Sequence, residues 1–194
     1  ADIIIRTFCI CLVYTFFTAA SARMEDDTVL AVNTMLMQLF TLFSYMNDGF
    51  AYAAEALTGR FVGARDVVSL RRCLRRCVVW AMATALLCVA IYVGWWRDIL
   101  ALFTRDGADD AAQMIDVASR YVGWVIAIPL AAAMPFLMDG VMVGATLTRI
   151  LRNSMLLSTA AYFAIYYALH PLIRNDPLWL AFTLYMALRG VAPY

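Results

Sequence analysis

The chain has 194 residues, of which 64% are hydrophobic and 15% are charged, and its formal net charge is +1 at pH 7. A soluble domain of this length would leave much of that apolar surface in water, because small domains have too much surface for their volume. This composition excludes a soluble enzyme and a disordered tail. It also excludes a nucleic-acid-binding protein, since a net charge near zero creates no field that attracts nucleic acid.

Six apolar stretches are each roughly as long as the ~17–25 residues that an α-helix needs to cross a bilayer. In chain order they cover about residues 3–22, 28–57, 77–96, 117–147, 154–169 and 177–192. The second stretch is unusually long, and Gly59 and Gly63 are predicted to end it. Asp176 and Pro177 are predicted to begin the last one, because proline suits the first turn of a helix. The sequence therefore predicts an all-α membrane protein, a single bundle of six transmembrane helices.

All fifteen basic residues are arginine, and they are unevenly distributed along the chain. The densest group, called here the arginine segment, consists of Arg60, Arg65, Arg71, Arg72, Arg75 and Arg76. If the N-terminus is cytoplasmic, ten of the fifteen arginines lie on the cytoplasmic side, as the positive-inside rule requires. We therefore predict that residues 60–76 form a cytoplasmic loop. Both termini are predicted to be cytoplasmic, in a multi-pass protein of the inner (plasma) membrane.

Three acidic residues lie within the apolar stretches, where an ionised side chain costs several kcal/mol: Asp48, Glu55 and Asp139. Asp48 precedes Arg60 by twelve residues and Asp139 precedes Arg149 by ten. At 1.5 Å per residue these separations are roughly 15–18 Å, which puts both carboxyls near the middle of a ~30 Å hydrocarbon core. We predict that these acids bind the coupling cation or proton of a transporter. The alternative is that each one only makes a structural hydrogen bond inside the bundle.

A polar stripe follows one face of the second apolar stretch. Gln38, Tyr45, Asp48, Tyr52 and Glu55 are spaced by 7, 3, 4 and 3 residues, which places them on the same side of a helix. Lipid would not solvate such a face, so it is expected to look into the bundle or a wet cavity. Gln38, Tyr45 and Tyr52 are therefore predicted to line a cavity.

Signatures of enzymes, metal sites and nucleotide sites are absent from the sequence. It contains no HExxH, GxSxG or P-loop pattern, so we expect a protein that is not an enzyme and that uses no cofactor. Cys73 and Cys77 lie four residues apart, but no histidine accompanies them, and we interpret them as ordinary small residues rather than as a metal pair. Any uphill transport must then draw on an ion gradient or on a separate ATPase.

The run NTMLMQLFTLFSYMNDGFAYAAEALTGRFVGARD, from Asn33 to Asp66, resembles the seventh-to-ninth-helix region of the multidrug and toxic compound extrusion (MATE) family. The runs RTFCICLVYTFFTAASAR and FLMDGVMVGATLTRILRNSML are similar to the same family, and the DinF-type branch looks most alike. The resemblance covers essentially the whole chain. It implies that the six helices are the C-terminal lobe of a twelve-helix antiporter whose N-terminal lobe lies outside this chain, and we expect the chain to be part of a longer protein.

The resemblance implies that Asp139 falls where Na⁺-coupled members of the family place an acidic cation-binding residue, whereas the proton-linked acids of DinF-type members are chiefly in the N-terminal lobe. The resemblance therefore implies an ion-coupled efflux antiporter, with H⁺ or Na⁺ as coupling ion and amphipathic or cationic small molecules as substrates. One alternative is a lipid-linked sugar flippase of the same superfamily, which a strongly cationic cavity would favour; the predicted spans show almost no buried arginine. Another alternative is a membrane interaction subunit without transport activity. The expected partners are the lipid bilayer and the N-terminal lobe.

Overall fold

The computed structural model describes residues 2–23, 27–103, 108–169 and 176–191. Side chains are described in the same ranges, except at residues 102–103, 108–113 and 191. This part of the chain forms the α-helices α1 (Asp2–Ala22), α2 (Asp27–Gly63), α3 (Val67–Phe103), α4 (Ala108–Gly144), α5 (Thr148–Leu169) and α6 (Asp176–Val191). No residue of the described ranges lies in a β-strand. The predicted all-α fold is confirmed.

Four of these helices are long and apolar enough to cross a membrane. They are α1, α2, residues 67–101 of α3 and residues 114–144 of α4. Helix α6 has 16 residues, which at 1.5 Å per residue is about 24 Å and shorter than a ~30 Å hydrocarbon core. Helix α5 carries Arg149 and Arg152 in its first turns. The structure therefore supports a multi-pass membrane protein, and the number of six membrane crossings stays a prediction. Residue 192, the predicted end of the sixth apolar stretch, lies outside the described residues.

The helix boundaries differ from the predicted ones around the arginine segment. Helix α2 continues through Gly59 and ends at Gly63, and α3 begins at Val67, so most of the predicted loop over residues 60–76 is helical. That prediction was wrong because arginine is a good helix former, and a membrane boundary does not require a helix to stop there. The same holds at α5, which begins at Thr148 rather than at residue 154.

A three-residue turn, residues 64–66, joins α2 to α3. Arg65 has a left-handed backbone (φ 54°), and the Asp66 amide donates a hydrogen bond of 3.0 Å to the carbonyl of Phe61. This pattern closes the C-terminus of α2. The Asp66 carboxylate then accepts a 3.0 Å hydrogen bond from the Ser69 amide and caps the N-terminus of α3. The turn therefore holds α2 and α3 as a tight antiparallel pair.

Helix α4 is the centre of the bundle and packs against α2, α3, α5 and α6. It approaches α2 most closely at two glycines, where a Cβ on Gly140 would overlap the Ala51 carbonyl and one on Gly144 would overlap the Glu55 carbonyl. Small residues four apart let two membrane helices come into backbone contact. On the opposite side, a Cβ on Gly190 of α6 would lie 2.7 Å from the Pro135 ring. Helix α4 is therefore held between α2 and α6 at the level of residues 135–144.

Aromatic rings fill the core at the other end of the bundle. Phe182 of α6 lies in edge-to-face contact with Phe17 of α1, at 5.4 Å between ring centroids, and with Phe40 of α2, at 5.2 Å. Trp179 is fully buried beside them and donates a 2.9 Å hydrogen bond to the side-chain carbonyl of Asn33. These contacts tie α6 to α1 and α2.

Candidate functional site

A buried carboxylate on α4 binds two arginines from two other helices. Asp139 is 4% exposed, and its Oδ2 accepts hydrogen bonds from Arg189 of α6 and, at 3.0 Å, from Arg6 of α1. Arg189 is itself buried, with 3% of its surface exposed. We call these three residues the Asp139 cluster. Because the cluster joins α1, α4 and α6, it is an ion pair of the interior rather than of the surface.

The packing of α6 on α4 determines where the Arg189 guanidinium lies. Gly190 allows α6 to contact the Pro135 ring directly, and its neighbour Arg189 then reaches over the Phe136 ring, with 5.2 Å from guanidinium carbon to ring centroid. A cation over an aromatic face gains electrostatic energy when water is excluded. Arg189 is therefore stabilised on one side by a carboxylate and on another by a ring.

A second ion pair lies one helical turn from Arg6 and fixes the start of α1. The Asp2 carboxylate accepts a 2.8 Å hydrogen bond from Arg152 and one of 3.2 Å from the Thr148 hydroxyl, both from α5. Since residues four apart lie on the same side of a helix, Asp2 and Arg6 project from neighbouring positions of α1. The contact with α5 thereby orients α1 so that Arg6 can reach Asp139.

The Asp139 cluster leaves several buried polar atoms without partners. Asp139 Oδ1 and the Nε atoms of Arg6 and Arg189 have no hydrogen-bond partner among the described residues. An unpaired polar atom in the interior is unfavourable by about 1–3 kcal/mol unless water or an ion binds to it. These unpaired atoms of the cluster can therefore still bind a water molecule, a proton or a small cation.

Asp48 is the second carboxyl of this region. It is half-buried on α2, close enough to Arg189, Arg6 and Asp139 for their charges to act on it, yet no ion pair or hydrogen bond of the described residues involves it. With Asp48 ionised, the four side chains carry two positive and two negative charges. The structure places Asp48 within electrostatic range of Asp139, which is paired, whereas Asp48 has no ion pair or hydrogen bond among the described residues; that the two acids bind a coupling ion stays a prediction.

The remaining residues of the predicted stripe lie farther toward the surface of α2. Gln38 is exposed, Tyr45 and Tyr52 are 72% and 69% exposed, and Glu55 is half-buried. The stripe therefore lies on an outer face of this bundle, with Asp48 at its inner edge. Such a face requires either water or another part of the transporter beside it, because lipid does not solvate its polar groups.

The sequence interpretation missed the two arginines of the cluster. It described the spans as having almost no buried arginine, and the burial of Arg189 together with the contact of Arg6 corrects that statement. A signal was present, because Arg6 interrupts the first apolar stretch and Arg189 lies in the last one. An ionisable residue inside a membrane span usually has a partner of opposite charge, which here is Asp139.

The five cysteines form no disulfide bond. Cys9, Cys11, Cys73, Cys77 and Cys88 are all free. Within the described ranges no group of three or more histidine, cysteine, aspartate or glutamate side chains is arranged to hold a metal ion.

Comparison with known proteins gives the family of the chain. Residues 3–172 match the MatE family. A relative, the DNA damage-inducible protein F of Escherichia coli (strain K12), is 37% identical over 191 residues, which are 98% of this chain and 40% of the relative. No solved structure shows a significant match. The chain spans less than half the length of this relative, and it belongs to the MatE family, as its resemblance to the DinF-type branch predicted.

Proposed function

We propose that this chain is one lobe of an ion-coupled antiporter that exports amphipathic, often cationic, organic compounds across the inner membrane. The observation that carries the proposal is the Asp139 cluster with Asp48 beside it, in a MatE-family chain with four helices apolar enough to span a membrane. A transporter needs ionisable groups inside the membrane, and such groups are rare there without a function.

Charge balance suggests how Asp48 would couple an ion to a substrate. When Asp48 is ionised, Arg6, Arg189, Asp139 and Asp48 sum to zero charge. When Asp48 takes up a proton, one positive charge is left over in a medium of low dielectric constant, where it acts strongly on its surroundings. That charge would repel a cationic substrate held along the stripe of Gln38, Tyr45 and Tyr52. Proton entry would thereby drive substrate release.

Asp139 has a different part in this proposal. Its two arginines hold it as their counter-ion, so a cation would reach it only through the unpaired Oδ1 or after an arginine moves away. Because α1, α4 and α6 all meet at Asp139, a movement of one arginine would shift the helices relative to each other. The coupling ion is H⁺ or Na⁺, and Glu55, half-buried farther along α2, is a secondary candidate for its path.

The alternatives make different predictions for the same cluster. A lipid-linked sugar flippase would need an excess of positive charge to bind its phosphates, whereas the buried Arg189 and the half-buried Arg6 are balanced here by Asp139 and Asp48. An interaction subunit without transport activity would tolerate asparagine or alanine at both aspartates. The antiporter is therefore the function that this arrangement of charges supports best.

The test uses the full-length transporter in proteoliposomes, with a fluorescent cationic dye as substrate and an imposed proton or Na⁺ gradient. Asp48→Asn fixes the neutral state of this position, so the leftover positive charge should weaken binding of the cationic dye and reduce gradient-driven export at least about tenfold. The matched control is Asp116→Asn, at an exposed aspartate near the start of α4. Wild-type export by Asp48→Asn under both gradients would refute the coupling role of this residue.

Asp139→Asn needs a control for folding, because it leaves Arg189 buried with less counter-charge. The double variant Asp139→Asn/Arg189→Gln removes both charges and should regain much of the stability lost in the single variant. If Asp139 takes part in coupling, the double variant stays inactive although it is folded. Export at the wild-type rate by this folded double variant would contradict the proposal.

A further inference from the structure

An open groove lies between α2 and α3 next to their connecting turn. It has a volume of about 410 Å³ and is lined from α2 by Phe50, Leu57 and Phe61 and from α3 by Ser69, Arg72, Cys73, Arg76, Cys77 and Trp80. A second opening of about 310 Å³ on the neighbouring face shares Arg72, Arg76 and Trp80 and adds Arg75 and Val79. No part of the proposed coupling site contributes to either opening.

The groove has its arginines near the middle and is apolar at the end away from the turn. Phe61 and Ser69 lie next to the turn, whereas Phe50 and Trp80 each lie eleven residues farther along their helices, about 16 Å away at 1.5 Å per residue. Arg72 and Arg76 are one helical turn apart, three and seven residues beyond Ser69. A charged part followed by an apolar part is also the order of groups in a phospholipid, from its headgroup to its acyl chains.

The arginines of this groove lack partners of their own. Among the residues that the structure describes, no salt bridge or hydrogen bond to a carboxylate involves Arg72, Arg75 or Arg76, and the nearest acid acting on Arg72 is Asp66, which already caps α3. Trp80 is 64% exposed beside them. Exposed guanidinium groups next to an exposed indole are suited to phosphate groups at the headgroup level of a bilayer.

We propose that this groove is a binding site for an anionic phospholipid, with the lipid phosphate between Arg72 and Arg76 and an acyl chain along Leu57, Phe50 and Trp80. The two arginines and the apolar lining beyond them together fit such an amphipathic anion. A bound lipid would brace the α2–α3 pair at the membrane boundary. The proposal does not depend on the antiporter mechanism, since none of its residues belongs to the Asp139 cluster.

The experiment measures lipid binding to the full-length transporter, purified and delipidated in a neutral detergent. Dioctanoyl phosphatidylglycerol is titrated and bound lipid is counted by native mass spectrometry, with dioctanoyl phosphatidylcholine as the uncharged comparison. Arg72→Gln/Arg76→Gln should weaken phosphatidylglycerol binding at least about tenfold, because each arginine near the headgroups adds to the attraction. The matched control Arg60→Gln/Arg71→Gln removes the same charge outside the groove and should change the affinity less than twofold.

A second variant tests the apolar half independently of charge. Leu57→Trp fills the groove and should weaken phosphatidylglycerol binding by a similar factor while the arginines remain. Equal losses in the two arginine pairs would show only a diffuse charge effect and would overturn the proposal. Equal binding of phosphatidylcholine would overturn it as well, because the groove would then bind only the apolar part of a lipid. Displacement of phosphatidylglycerol by millimolar inorganic phosphate would also overturn it, because the arginines would then form a site for free phosphate.

Discussion

Two regions of this chain, the Asp139 cluster and the arginine segment, differ in how their arginines are compensated. In the Asp139 cluster, Arg189 is buried and bound to a carboxylate, and Arg6 reaches the same oxygen from another helix. In the arginine segment, six arginines lie exposed near the turn between α2 and α3 without salt bridges of their own among the described residues.

The difference follows from the medium around each guanidinium. A buried charge has no water to solvate it, so its partner must come from the protein, and three helices are positioned around Asp139 to provide the contact. A charge at the membrane boundary is solvated by water and lipid headgroups, so it needs no fixed partner and stays free to bind one. Arginine in the interior therefore organises the fold, whereas the exposed arginines near the turn keep their hydrogen-bond donors available for a ligand.

The largest effect is expected when the buried pair is broken. Arg189→Met keeps most of the side-chain volume but leaves Asp139 with Arg6 alone, and we expect a loss of about 3–5 kcal/mol in the free energy of unfolding. Denaturant titration of the full-length protein in mixed micelles measures it. Arg120→Met, at an exposed arginine of α4, is the control. Equal stability of the Arg189→Met and wild-type proteins would show that the cluster contributes nothing to folding.

A smaller effect is expected where α2 and α4 touch near the same cluster. Gly140→Ala places a methyl group against the Ala51 carbonyl, so the two helices must separate, and the loss should be about 1–3 kcal/mol. Gly123→Ala on the same helix meets nothing within 4 Å and is expected to be neutral or slightly stabilising. Thermal unfolding of both variants in detergent compares them. A Gly140→Ala protein as stable as Gly123→Ala would contradict the close approach.

At the boundary, we expect only a local and pH-dependent effect at the cap of α3. Hydrogen bonds from the Ser69 hydroxyl, the largest contribution, and from the Ser69 amide lower the pKa of Asp66 below its usual value. The cap therefore stabilises α3 above the ordinary aspartate pKa and is lost as the pH falls through the lowered one. Hydrogen exchange of the Ser69 amide, corrected for its intrinsic rate, should rise in that acidic range. In the Asp66→Asn variant this rise in the exchange rate at acidic pH should be missing. A rise that persists in the variant would mean that another group causes it.

The smallest effect is expected within the arginine segment itself. Arg71→Gln removes an exposed charge that has no ion pair in the described part of the chain, and the free energy of unfolding should change by less than about 0.5 kcal/mol. The same denaturant titration that is used for Arg189→Met measures it. A loss comparable to that of Arg189→Met would mean that the two regions do not differ as described.

The sequence by itself determined the fold class and the family. Runs of apolar residues long enough to cross a bilayer leave few folds other than a helical membrane bundle, because backbone groups in lipid must be paired within each helix. The same reasoning identified Asp48 and Asp139, since an acid in an apolar stretch stands out without any structure. It failed at residues 60–76, where charge was interpreted as loop although arginine is compatible with a helix.

Only the tertiary structure decided which charges meet. Arg6 and Arg189 lie 133 and 50 residues from Asp139 in the sequence, and no local periodicity relates the three residues. Their contact depends on Gly190 packing against Pro135, which brings α6 onto α4, and on the ion pair of Asp2 with Arg152, which orients α1 through α5. Helix periodicity indicates the face of a helix on which a residue lies, whereas the partner of that face depends on how the helices pack. For that reason the sequence identified the acid at the centre of the site, and the packing of three helices identified its two arginines.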